Sequence, residues 1–218
     1  MKFLNDNTPT SSPARNAKQP SCSTSANTSL PARNDKTAEC IALYSDDGAK
    51  FMTVFNPRLQ GACLKHPRQA FLGTAPALAT VRQAYGDNVA DSWLAIELFD
   101  LARASGVRDA HDYTEYIPAA ELLGAEFGHL KVTELMYFFG KCKTGRYGKF
   151  YGNVDFMAIG EALRKFCDGE RLTLLREFRS LEERERREAE AAEPTVSISD
   201  TLAKYGVSSL MELIAKNS

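Results

Sequence analysis

Four cations and three rings alternate within a dozen residues: Lys141, Lys143, Arg146 and Lys149, with Tyr147, Phe150 and Tyr151 among them. No acid interrupts the run over 141–152, and Gly145, Gly148 and Gly152 let the chain turn. Cations of this kind meet phosphates, and flat rings stack on bases. The pattern therefore nominates Lys141, Lys143, Arg146, Tyr147, Lys149 and Tyr151 as nucleic-acid contacts on single- or double-stranded DNA. A plainer use of the same residues competes with it. Phe150 and Tyr151 would fill the core, and the cations would sit where a helix C-terminus favours positive charge.

Other chemistries fit less well. Gly140 and Gly145 have phosphate-loop spacing, but Arg146 and Tyr147 follow where lysine and a hydroxyl residue are required. The loop also leaves a helical pattern, whereas that motif leaves a strand. Cys63 and His66 make one C-x-x-H pair with no second pair to complete a zinc set, and His129 stands alone. Asp109 and Asp112 lie on a polar linker beside His111, and no nucleophile sits in a strained turn motif. The expectation is a non-enzymatic chain without metal or cofactor.

Helices must position the loop. Val132, Leu135, Met136 and Phe139 fall at helical spacing just before it. Asn153 or Asp155 is placed to cap a helix from about Phe156, with Met157, Ile159, Leu163 and Phe166 inward. Upstream, Pro118 opens a helix with Leu122, Leu123 and Phe127 inward. A broad stripe including Val89, Trp93, Ile96 and Phe99 marks a central helix over about 89–104. Before that, Thr74, Pro76 and Gly86 frame a helix over 74–86, and 57–65 reads as a short one. Asp46-Asp47-Gly48 between the apolar runs of 40–55 predicts a minor β-hairpin. The fold class is mainly α: a compact helical bundle with a possible hairpin.

The ends read differently. Residues 1–38 are rich in Ser, Thr, Asn, Pro and Ala, the composition of a disordered arm. Over residues 171–193, Leu172, Leu175, Phe178 and Leu181 mark one face and charges run all round after Leu181, a solvated helix of Glu–Arg pairs. A small amphipathic tail at 194–218 follows. Its Leu202 and Tyr205, then Leu210, Leu213 and Ile214, form apolar sets suited to a protein partner.

The net charge is −1, so any contact with a polyanion must be local. Five cysteines at irregular spacing do not make a disulfide framework. No apolar run follows Lys2 and none approaches a membrane span. The expectation is a reducing, cytoplasmic location.

The segments HPRQAFLG, ALATVRQAYGDNVADSWL and LKVTELMYFFGKCKTGRYGKFYGNVD resemble an uncharacterised family, a domain of unknown function found in Bacteroidetes genomes and their mobile elements and phages. The resemblance covers about 64–171, and its most specific part is the G-x-YG-x-FYG-x-VD motif at 145–155. The chain departs from that pattern at Phe156, where proline is usual, and at Gly140-Lys141. The family carries no settled activity. In layout the chain is similar to replication accessory proteins such as replisome organisers and helicase loaders. That likeness implies an accessory protein of DNA replication or mobile-element maintenance, with DNA at the loop and a replication protein at the tail. The alternative is an interaction or regulatory adaptor that touches no nucleic acid.

Overall fold

The computed structural model describes residues 35–107, 112–148 and 155–192, and within them the chain is mainly α-helical with no strand. Residues 1–34 of the expected arm, Lys149 and Tyr151 of the loop, and the whole tail with Leu202, Tyr205, Leu210, Leu213 and Ile214 lie outside the described residues.

The expected hairpin is replaced by two helices, α1 (Asp35–Tyr44) and α2 (Gly48–Val54). Asp47 caps instead of turning: its carboxylate accepts the Ala49 N–H at 2.9 Å. The reversal is made by Ser45, at φ 80°. Once α2 is helical, Phe51 and Phe55 share a face and pack with Tyr44; Phe51 also meets Tyr85. Burial of these rings outweighs the turn preference of Asp-Gly.

A 3-10 turn at Pro57–Leu59 leads to α3 (Gln60–Lys65) and α4 (Pro67–Leu72). Next come α5 (Leu78–Tyr85) and the central α6 (Asp87–Ala104), joined by Gly86 at φ 92°, a value that suits glycine. Trp93, Leu94, Leu98 and Leu101 of α6 are all fully buried. The Trp93 indole N–H donates to the Phe55 carbonyl at 2.6 Å, fixing the end of α2 on α6.

A second 3-10 turn, Tyr113–Tyr116, enters α7 (Ile117–Phe127), and α8 (Val132–Lys143) follows after a short reversal. The start of α8 stitches three elements. Leu78 N–H donates to the Leu130 carbonyl and Val132 N–H to the Pro76 carbonyl, at 2.9 and 3.0 Å. Lys131 Nζ caps the end of α4 through the carbonyls of Phe71 and Gly73, at 2.9 and 2.6 Å. Gly124 of α7 leaves room for Arg82, whose guanidinium pairs with the buried Asp91 at 2.5 Å; a Cβ there would lie 2.8 Å from Arg82.

Asp155 caps α9 (Phe156–Lys165) by accepting the Met157 N–H at 2.9 Å. A π-helical turn, Phe166–Arg171, then carries the chain without a break into α10 (Leu172–Ala192). The first half of α10 packs on the core, with Phe178 against Phe71 and Leu174, Leu175 and Leu181 beside it. Beyond it the helix is held by exposed pairs such as Glu183–Arg187, each worth a few tenths of a kcal/mol. A two-pronged Arg68–Glu185 bridge, at 2.8 and 2.6 Å, ties it back to α4.

Candidate functional site

The last turn of α8 and the residues after it bring Lys141, Lys143, Arg146 and Tyr147 to one end of the bundle, and the fold engages all four. The Tyr147 ring lies on Phe138 with centroids 5.2 Å apart and meets Phe166 edge-on at 6.4 Å. Its hydroxyl donates to Glu170 Oε2 at 2.8 Å, while Tyr137 donates to Glu170 Oε1 at 3.0 Å. The ring expected to stack outward on a base is thus turned inward. Gly145 and Gly148, at φ 78° and 113°, reverse the chain on either side of it and fold it back over α8. Lys141 and Arg146 also reach Glu170, at 3.8 and 3.5 Å, and Lys143 pairs with Asp100 of α6. Arg146 is the most open of these cations, its side chain 64 % exposed.

The π-helical turn explains why one carboxylate serves so many partners. Its i→i+5 winding lets Phe166, Glu170 and Arg171 face α8 together, where tighter α winding would spread them. Burial works against the Glu170 charge, but two phenolic hydrogen bonds and two cations outweigh it and hold its pKa below the usual carboxylate range. Burial, then the bond to Glu170, pushes both phenols upward. The cluster ties Tyr147 and Arg146 of the loop and Tyr137 and Lys141 of α8 to one carboxylate. Sequence reasoning missed Glu170 because its partners Tyr147 and Tyr137 lie 23 and 33 residues back in the chain, beyond any local pattern.

Among the described residues, three exposed large apolar side chains gather between α7 and α9. Leu122 is 75 % exposed, Met157 83 % and Phe156 39 %, and they share a groove of about 430 Å³ with Pro118, Glu126 and Arg164. Both Leu122 and Met157 were expected inward. The inward arc of α9 is Ile159, Ala162, Leu163 and Phe166, and Met157, two residues before it, falls on the opposite side. On α7 the arc is Ala119, Ala120, Leu123 and Phe127, and Leu122 stands off it. Arg164 and Glu126 close one rim with a bidentate pair at 2.9 and 3.2 Å.

No group of three or more His, Cys, Asp or Glu among the described residues could hold a metal ion. Cys63 is buried, with burial pushing its thiol up to about 11, the wrong direction for a thiolate nucleophile. No helix among the described residues is long and apolar enough to cross a membrane.

Residues 117–206 match a family of unknown function, DUF6633. The match starts at the first residue of α7 and ends one residue past Tyr205, so it takes in the groove, the basic loop, the π-helical turn and the first apolar set of the tail. The motif resemblance predicted a domain of unknown function from about residue 64; the matched segment begins later and runs further. No curated protein and no solved structure matches the chain.

Proposed function

We propose that the chain is a non-enzymatic, self-assembling interaction adaptor whose α7–α9 groove receives the apolar C-terminal segment of a second copy. The groove carries this reading: Leu122, Met157 and Phe156 sit together in water, and full burial of each is worth about 1.5–3 kcal/mol. Ile198, Leu202 and Tyr205 recur at the spacing of a helix laid in a groove, and the DUF6633 segment contains both halves of the contact. Reach argues for contact between copies. The helical run from Phe156 to Ala192 is on the order of 50 Å long at ~1.5 Å per residue. Ile198 and Tyr205 lie at most roughly 20 and 45 Å of extended chain beyond its end, so along a straight run this first apolar set stops short of Met157.

Light scattering on the full chain tests this. The wild type is expected to show a dimer mass. Leu122→Glu with Met157→Glu should give a folded monomer whose melting temperature no longer depends on protein concentration, because both side chains face water within one copy. Leu202→Glu with Tyr205→Glu should do the same from the other side. A wild-type monomer at every concentration, or a dimer that survives both double variants, would overturn the reading.

A second reading, an accessory protein of DNA replication or mobile-element maintenance that touches DNA at the basic loop, keeps one observation in its favour: the openness of Arg146. If the loop meets phosphates, Arg146→Glu should lower the slope of log affinity against log salt by about one unit or more. An unchanged slope leaves the adaptor reading alone.

A further inference from the structure

A cleft of about 390 Å³, within the range of small-molecule sites, opens between the start of α1, the 73–77 segment and the N-terminal end of α8. Lys36, His129, Lys131 and Arg171 line it, with the Thr80 side chain; Glu39 is the acid on the same wall. It lies apart from the residues of both the α7–α9 groove and the basic loop.

The charges beneath this cleft do not balance. Glu134 is almost wholly buried, and both its oxygens are in use: Oε2 accepts the Lys131 backbone N–H at 3.0 Å and Oε1 accepts Arg171 Nε at 3.1 Å. Lys131 Nζ gives two of its three protons to the carbonyls of Phe71 and Gly73, which carry no formal charge. One buried carboxylate thus answers to an ammonium and a guanidinium, both partly withdrawn from water. Arg171 spends Nε on Glu134, and its Nη groups make no hydrogen bond among the described residues.

We propose that this cleft binds a small phosphate-bearing anion, with Arg171 and Lys131 on the phosphoryl oxygens and Lys36 closing over it from α1. The guanidinium offers paired donors matched to two oxygens, and the lysines add point charge. The anion adds negative charge to a wall on which Lys36, Lys131 and Arg171 outnumber Glu39. The state of Lys131 agrees: burial first, and then the fields of Arg171 and Arg179, lower its pKa against the pull of Glu134. An anion in the cleft would relieve that strain.

The test is calorimetric titration of the full chain at constant ionic strength with inorganic phosphate, pyrophosphate and adenosine monophosphate, with chloride as the blank. Saturable one-to-one binding of at least one of the three is expected, with a matching rise in melting temperature. Preference for the nucleotide would identify an organic phosphate as the ligand, and preference for pyrophosphate an inorganic one. Lys36→Glu reverses a charge at the mouth without touching the Glu134 network and should weaken binding by roughly tenfold or more. Arg171→Lys keeps a cation beside Glu134 but loses the paired donors, and should also weaken binding by about tenfold. Heats no larger than the chloride blank for all three ligands, or affinities equal to wild type in both variants, would overturn the proposal. The outcome is independent of dimerisation, so this inference and the adaptor reading stand or fall separately.

Discussion

Glu134→Ala is expected to lower the stability of the fold by about 3–5 kcal/mol, the range for removing one partner of a buried ion pair. The carboxylate is 1 % exposed and answers two donors, the Lys131 backbone N–H and Arg171 Nε. Its loss leaves Arg171 beside Lys131 with no opposing charge between them, and it removes the cap of α8. Because α8 begins at the seam with α4 and α5, the damage should spread beyond one helix end. Glu134→Gln keeps an acceptor for the N–H and should cost less than alanine. Urea melts of the three proteins check the order: wild type, then glutamine, then alanine. A cost below about 1 kcal/mol for alanine would place the pair among ordinary surface bridges.

Stability is expected to fall as pH rises from about 4.5 to about 8, and Glu97→Gln is expected to flatten that fall. Glu97 is fully buried on α6, and Oε1 has no partner among the described residues. Oε2 accepts Gln60 Nε2 at 2.5 Å. Burial chiefly, and the nearby Asp100 in addition, push its pKa up to about 8, while the Gln60 bond and Lys143 pull the other way. A carboxyl raised in the folded state keeps a proton that the unfolded chain has already released. Its contribution is therefore whole below the unfolded value, declines through the window between the two values, and is level above the folded one. The slope from one such group is at most about 1.4 kcal/mol per pH unit. Denaturant melts at about pH 5, 6.5 and 8 should show the difference between wild type and Glu97→Gln growing with pH. A constant difference would mean that Glu97 is already ionised in the fold.

Local patterns carried the helices. Val132, Leu135, Met136 and Phe139 are all buried on α8, Asp155 caps α9, and Gly86 takes the positive φ that separates α5 from α6. These are readable because spacing and caps act within a few residues. The hairpin failed for the same kind of reason: Asp47 before Gly48 suits a tight turn and a helix cap equally, and only the long-range burial of Phe51 decides between them. The loop after α8 was harder still. Its cations and Tyr147 are held by Asp100 and Glu170, acids 43 and 23 residues away in the chain. No local reading could tell an open basic loop from one whose charges are answered by distant helices. Leu122 and Met157 mislead in the opposite sense, since an apolar residue in an amphipathic helix is assumed inward until the neighbouring helices define the arc.

Glu170 and Arg171 are consecutive residues on one wide turn, yet they hold opposite ends of the 12-residue α8: the loop that leaves it and the buried acid in its first turn. The basic loop and the cationic cleft are therefore geared through a single pivot. A change in the winding or tilt of that turn is expected to move both surfaces together, because Glu170 and Arg171 cannot shift independently of it.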